Sequence, residues 1–413
     1  MATTAGRAQV TRAHGVTGPL REFLDRPLTS YYLILGASAL LLALGLVMVM
    51  SASSIYSLEL YHNSYYVFLR QLLWVGLALP MAIVAAKLPH RVLRYFAWPA
   101  LVLALGLVAL TLTPLGITVN ANTNWVGVGP VQIQPSEFAK LALVLWSADV
   151  YARKESLLSD WRHAVIPVIP VALVMTGIVL GGRDLGTAII FLAIIFGMLY
   201  IAGASFGLFA VLFSGGAAVV TLLAVQNPER MSRLLTFSDP FAYYKDAGWQ
   251  AAHGILAMSS GGLFGKGISA SQQKWGNLPE AHTDFIFAVL GEELGMMGTF
   301  LVLGLFLVIA YVGLRIAMRS PDPFARFLSA GITIWLIVQM MINVGMVLAL
   351  LPVIGVPLPL VSYGGSSLVP SLIGLGLLIS LARSEPGAAA ALRIRKRGTP
   401  AGVNAGSVTR RGR

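Results

Sequence analysis

The stretch Lys274-Trp275-Gly276-Asn277-Leu278-Pro279-Glu280-Ala281-His282-Thr283-Asp284-Phe285-Ile286-Phe287, running on into Gly291-Glu292-Glu293-Leu294-Gly295, decides how this chain is read. It opens at the end of a polar, glycine-rich loop and finishes inside a long apolar run. Asp284 therefore stands where water gives way to hydrocarbon. Charge at that depth is costly, which makes an ionisable residue there a functional candidate by default. The plainer alternative is that Thr283 or Asp284 caps the first turn of a membrane helix, satisfying its free N–H groups and its dipole. The two roles are compatible, because a capping carboxylate stays ionised and well oriented.

Outward from that stretch, the whole chain has the composition of a membrane protein. Of its 413 residues 57% are hydrophobic and 11% charged, with a mean hydropathy of +0.78, whereas a soluble domain carries roughly 25% charged residues. Only the loop 227–283 is a polar segment long enough for a sizeable soluble domain. With no cysteine, disulfides, thiol catalysis and cysteine–zinc sites are excluded. The net charge of +12 collects at the termini and in short loops, with Arg393, Arg395, Lys396, Arg397, Arg410, Arg411 and Arg413 in the C-terminal tail. Basic residues beside spans set orientation and meet anionic membrane lipids, so nucleic acid is not the partner. The first thirty residues are polar and carry Arg7, Arg12, Arg21 and Arg26. The apolar run that follows is too long for a signal-peptide core and is expected to remain as a span.

Runs of about 20 apolar residues, enough to cross a bilayer, fall at 32–51, 67–86, 95–115, 135–152, 164–180, 185–202, 206–225, 284–316, 327–350 and 367–382. The fold class is thus an all-α polytopic membrane protein of about ten helices, with a large extracytoplasmic loop between the seventh and eighth. Its parts are an N-terminal tail (1–30), a transmembrane domain (31–383) and a basic C-terminal tail (384–413). Lys87, Arg91, Arg94, Arg153, Lys154, Arg162, Arg315, Arg319 and Arg326 all fall on one side if both termini are cytoplasmic, while residues 116–134 on the other hold no Lys or Arg.

Chemistry is therefore sought on the outer face, where three segments are dense in Gly, Pro, Asn and Gln. The first runs from Asn120 through Trp125 to Gln134 and Glu137, the second is the loop ending at Asp284, and the third runs from Leu351 to Ser362, Ser366 and Ser367. Non-helical backbone at membrane depth survives only when buried in protein or lining a wet cavity, so together they suggest one outward-facing cavity; each alone is also consistent with ordinary loop chemistry. Glu137 and Lys140, three residues apart on one helical face, either form a structural pair or serve the site. Arg183 and Asp184 lie between two spans. Glu292 follows Asp284 by about 12 Å of helix, Glu293 points roughly opposite, and both are expected to bind neighbouring helices or lie near water rather than to catalyse. Gly265-Lys266-Gly267 is no phosphate loop, because Ser or Thr does not follow the lysine. His253, Glu280, His282 and Asp284 have a weak metal-ligand spacing.

The run from Asn277 to Gly295, with Gln134-Pro135-Ser136-Glu137-Phe138-Ala139-Lys140, Asp184-Leu185-Gly186-Thr187-Ala188 and Ser362-Tyr363-Gly364-Gly365-Ser366-Ser367, resembles the SEDS family of cell-wall polymerases across about residues 30–385. Ala281 and Gly291 are similar to its division member rather than its elongation member. The resemblance implies a glycosyltransferase that polymerises lipid II into peptidoglycan strands with a divalent metal, Mg or Mn. It implies partnership with a class B penicillin-binding protein and other divisome membrane proteins, in the bacterial cytoplasmic membrane at the division septum. Asp284 matches the family's essential aspartate and is the expected catalytic residue and a possible ligand of the metal. Two positions depart from the pattern: Asn124 stands where the family has Arg before Trp125, and Arg183 where it has Pro before Asp184.

The residues suit that chemistry independently. Joining two lipid-linked sugars needs a base for the acceptor hydroxyl, which a desolvated carboxylate supplies. The departing pyrophosphate needs positive charge, from a metal, Lys140, Arg183 or Lys274. Glu137, Gln134, Trp125, Asp184, His282, Ser362 and Ser366 complete the expected substrate-binding set. A lipid II flippase and a scaffold for the transpeptidase are the rival readings; the clustering of polar groups toward one face favours the polymerase.

Overall fold

In the computed structural model, residues 26–119, 122–128, 131–226, 231, 239–245 and 248–388 are described. Most of the two terminal tails and much of the first third of the long loop lie outside the described residues.

Hydrophobic length sets the frame. Helices α1 (Thr29–Tyr61), α2 (Tyr66–Ala85) and α3 (His90–Leu110) lead to a small sheet of β1 (Gly116–Val119), β2 (Asn122–Val128) and β3 (Val131–Ile133). Then come α4 (Pro135–Arg153), the short α5 (Trp161–Val165) with α6 (Val168–Gly181), α7 (Leu185–Ile201) and α8 (Phe206–Val225). Helix α9 (Trp249–Ser260) lies within the long loop, followed by α10 (Ile286–Arg319), α11 (Pro323–Val347) and α12 (Gly365–Ser384). Seven segments are long and apolar enough to cross a membrane: α1, α2, α3, α5 with α6, α10, α11 and α12. With α7, α8 and the more polar α4, these are the ten segments expected from hydropathy. Leu73 and Tyr95, on α2 and α3, expose 75% and 76% of their surface, which is tolerable only against lipid.

The outer segment before α4 is not irregular: it forms an antiparallel sheet in the order β1-β2-β3, with Ile117 opposite Trp125 and Val126 opposite Ile133. Pairing within the sheet satisfies backbone groups that would otherwise lie unpaired at the membrane boundary. The Thr123 N–H donates to the carbonyl of Gly182 at 2.8 Å. A Cβ on Gly182 would lie 2.5 Å from the Thr123 carbonyl oxygen, so glycine is what lets the sheet seat on the α6–α7 junction.

Helix α10 departs from expectation at both ends of its first segment. It starts at Ile286 rather than Asp284, and neither Thr283 nor Asp284 caps it: the N-cap is Phe285, without a side-chain bond. It is also broken at Gly295 (φ 68°, ψ −165°). In a continuous helix the N–H groups of Met296 and Met297 would reach the carbonyls of Glu292 and Glu293. Instead they donate to Gly262 and Leu263, at 2.9 and 3.1 Å. The freed carbonyls take the N–H groups of Lys266 and Gly267, each at 3.0 Å. The loop after α9 thereby repairs the break, as backbone at this depth requires.

Helices α11 and α12 are the most enclosed of the long spans, and α2 and α3 the least. The N-termini of α4, α7 and α12 and the C-termini of α1 and α11 meet at the end of the bundle that holds the sheet and the turn before α10. At the opposite end Asp149 is gripped by Arg94 and Arg153, both at 2.8 Å, and His90 contacts Asp322 at 2.9 Å.

Candidate active site

Asp284 lies in a tight turn that begins at Glu280 (φ 55°), closed by the N–H groups of Thr283 and Phe285 donating to the Glu280 carbonyl. Three successive carbonyls of this turn are claimed by the elements across from it. Tyr363 N–H donates to His282 O at 3.0 Å, Ser362 Oγ to Thr283 O at 2.7 Å, and Asn343 Nδ2 to Asp284 O at 2.8 Å. The same Asn343 amide donates to Val356 O at 2.7 Å, and Ser362 Oγ accepts from Leu358 N–H. The turn before α10 and the segment between α11 and α12 are thus stitched into one unit, with the side chain of Asp284 left over.

That side chain has no hydrogen bond or ion pair among the described residues. Gly355, held at φ 71°, faces it; a Cβ there would come 3.3 Å from Asp284 Oδ2. Asp284 is half-buried and precedes the membrane-spanning helix. Burial, then the like charges of Glu280, Asp184 and Glu137, push its carboxyl up to about 7. These are the conditions of a carboxylate poised to take up a proton near neutral pH.

The other expected residues divide into three kinds. Asp184 is buried as the N-cap of α7, bonded to the Thr187 N–H and hydroxyl at 2.9 and 2.8 Å, to Asn124 Nδ2 at 2.8 Å and to Gln134 Nε2 at 3.4 Å. Asn124 therefore ties the sheet to Asp184. Ser366 Oγ accepts from the Gln134 N–H at 3.1 Å, joining α12 to α4. Trp125 is half-buried on the ladder opposite Ile117. His282 stacks on Tyr56 with ring centroids 4.7 Å apart and leans on Tyr363; burial lowers its pKa against the pull of Glu280, so the imidazole is neutral near pH 7.

The three candidate cations part company. Lys274 is a correction: it is buried and spends its three N–H bonds on Ser51 Oγ (2.9 Å), Ser269 O (2.9 Å) and Glu293 (3.0 Å), leaving no hydrogen for a phosphate. Lys140 is wholly enclosed, 2.7 Å from Glu137 and 2.9 Å from Gln339 Oε1, with its ammonium over the Trp335 ring. That geometry makes the pair structural. Only Arg183 is exposed, in a left-handed residue (φ 65°) beside Asp184.

Glu292 and Glu293 do not point apart. Both hold the loop 266–274: Glu292 through Lys266, the Ser271 hydroxyl and the Gln272 N–H, Glu293 through Lys274 and Ser51. Nor do the histidines gather: His253 bonds Gln273 and Tyr244, and no three His, Asp or Glu among the described residues converge as metal ligands. A hard divalent ion needs only one or two carboxylates when phosphates and water complete its shell, so Asp284 fits as a single protein ligand.

Three residues were missed. Gln339 and Asn343, at i and i+4 on one face of α11, were legible as two amides in an apolar run. Gln339 accepts from Lys140 and Trp335 and donates to Pro357 O. Arg70, half-buried in α2, lies over Tyr66 and near Tyr363; its signal was an arginine inside an otherwise apolar run.

With this geometry in view, residues 31–386 match the family model of FtsW, RodA and SpoVE, described as a cell cycle protein. The chain is 38% identical over 372 residues to the probable peptidoglycan glycosyltransferase FtsW of Mycobacterium tuberculosis, covering 90% of this chain and 71% of that protein. To the stage V sporulation protein E of Bacillus subtilis it is 35% identical over 345 residues, 83% and 94% of the two chains. Among solved structures it is similar to the rod shape determining protein RodA of Thermus thermophilus, with TM-score 0.63, 29% identity and coverage of 88% and 99%. It is also similar to a chain solved in a study of structural coordination of polymerization and crosslinking by a peptidoglycan synthase complex, with TM-score 0.70, 30% identity and coverage of 86% and 97%.

Proposed function

The chain belongs to the FtsW, RodA and SpoVE family of cell cycle proteins, and we propose that Asp284 is the carboxylate through which this peptidoglycan glycosyltransferase joins lipid II units. One observation carries the reading: Asp284 is fixed by bonds to its backbone while its carboxylate is left unpartnered and its pKa is raised to about 7.

In the step proposed, an acceptor sugar hydroxyl gives its proton to Asp284 as its oxygen attacks the anomeric carbon of the donor. The new C–O bond forms as the bond to the donor's pyrophosphate breaks, and the electron pair leaves with the pyrophosphate. No proton is needed there, only positive charge. Arg183, exposed beside Asp184, and Arg70 supply it from this chain, and the N-termini of α4, α7 and α12 add their dipoles. A divalent ion, Mg or Mn, would be held by Asp284 and the substrate's phosphates and would add charge stabilisation. Gln134, Trp125, Asp184, Ser362 and Ser366 shape the site through the contacts described. The neutral ring of His282, with Tyr56 and Tyr363, offers an aromatic wall for sugar faces.

The orientation follows from the basic residues: the site end faces outward and both termini are cytoplasmic. A class B penicillin-binding protein is the proposed partner, supported by the similarity to a chain of a peptidoglycan synthase complex, and the division septum is the proposed location, supported by the resemblance to FtsW. A flippase would need a polar path through both halves; at the opposite end Asp149 is already neutralised by Arg94 and Arg153.

The test is polymerisation of labelled lipid II by purified protein with divalent metal, compared with Asp284→Asn. Loss of glycan in a variant that folds supports the reading. A variant that still polymerises removes Asp284 from the chemistry, and lipid II flipping lost only in the variant would favour transport.

A further inference from the structure

At the end of the bundle away from the site, α1, α2 and α12 enclose a groove of about 520 Å³ that is open to the membrane and almost entirely apolar. Its floor is the seam where α12 meets α2; a Cβ on Gly376 would lie 2.3 Å from the Ala82 carbonyl oxygen. Small residues, Ala39 and Ala43, line the α1 wall.

Besides the phenol of Tyr31, three polar groups break the apolar lining, and each is placed for one kind of ligand. Lys87 and Arg383 stand at the same end. The Lys87 ammonium makes no hydrogen bond or ion pair among the described residues, and half-buried Arg383 donates through Nη1 to Ala86 O at 3.2 Å. Glu385, two residues beyond Arg383, accepts from Ser30 at 3.1 and 3.2 Å and feels the charges of Arg315 and Arg319, not those of the groove. Deeper in the groove Ser38 is 7% exposed and its hydroxyl has no partner. It lies seven residues, about 10 Å of helix, beyond Tyr31.

We propose that this groove binds one anionic phospholipid, with its phosphate on Lys87 and Arg383, an ester carbonyl accepting from Ser38, and an acyl chain along the α1–α12 wall. Basic pockets between membrane helices at the cytoplasmic surface select such headgroups. The apolar lining alone would accept any lipid; the two cations supply the selectivity. The site lies apart from the active site and does not depend on how that site is assigned.

The test is thermal unfolding of the purified full chain in neutral detergent, with added phosphatidylglycerol, phosphatidylcholine of the same chains, or glycerol 3-phosphate alone. Phosphatidylglycerol is expected to raise the midpoint saturably, at about tenfold or more lower concentration than phosphatidylcholine; glycerol 3-phosphate should do nothing. In Lys87→Gln/Arg383→Gln the two lipids should become equivalent, while Arg91→Gln, an exposed cation outside the groove, should behave as the parent. Ala43→Phe, which fills the groove, should abolish both responses. Should it fail to fold, the charge variants decide alone. Equal responses to the two lipids in the parent, an undiminished preference in the double variant, or an equal loss in Arg91→Gln would overturn the proposal, the last by assigning the effect to diffuse surface charge.

Discussion

Three acidic residues within one stretch of ten have opposite fates. Glu292 and Glu293 are fully buried and saturated by Lys266, Lys274, Ser51, Ser271 and backbone N–H groups. Asp284 has its backbone carbonyl held by Asn343, its carboxylate unpartnered and like charges around it. A paired buried carboxylate is an anchor, and removing its partner leaves a costly charge. An unpaired one is free to exchange a proton or meet a cation. The difference separates carboxylates that hold the loop 266–274 in place from one whose side chain holds nothing.

The comparison predicts its largest effect at Asp284. Asp284→Asn should lower the polymerisation rate by about 10²–10⁴ while thermal unfolding stays near the parent, because no bond to the carboxylate is lost. Lys274→Met should do the reverse: it strands the buried Glu293 and should cost about 3–5 kcal/mol by thermal or denaturant unfolding. Activity per folded molecule should be kept, and Lys274→Met/Glu293→Gln should regain most of the stability. A stable Lys274→Met that cannot polymerise would return Lys274 to the substrate.

Arg183→Gln is expected to fold normally and lose about tenfold in kcat/KM, the scale of one hydrogen bond to a charged group; an unchanged value would leave the phosphates to Arg70 and the metal. The pH profile sharpens the contrast more gently. A base works deprotonated, so activity should rise with pH to a midpoint near 7, set by the raised pKa of Asp284, and fall about tenfold per unit below it. A divalent ion favours the charged carboxylate, so raising its concentration should move the midpoint down. Smallest, Gly355→Ala should cost about 1–3 kcal/mol for its left-handed backbone and crowd Asp284 Oδ2.

Hydropathy and charge in the sequence alone determined the ten apolar segments, the charge asymmetry and the choice of Asp284 as a candidate, because the cost of placing polar groups in hydrocarbon acts locally, run by run. The motif resemblance brought Gln134, Asp184 and Ser362 into one candidate set. Only the tertiary structure decided their roles. Lys140, Lys274 and Arg183 look alike in sequence, yet two are enclosed by acceptors and one is exposed, since whether a cation is buried depends on residues far along the chain: Gln339, Ser51, Glu293. The break at Gly295 likewise needed the loop at 262–267 to repair it. Helix and hydrocarbon obey short-range rules, but the pairing of a buried charge is settled by whatever packing brings beside it.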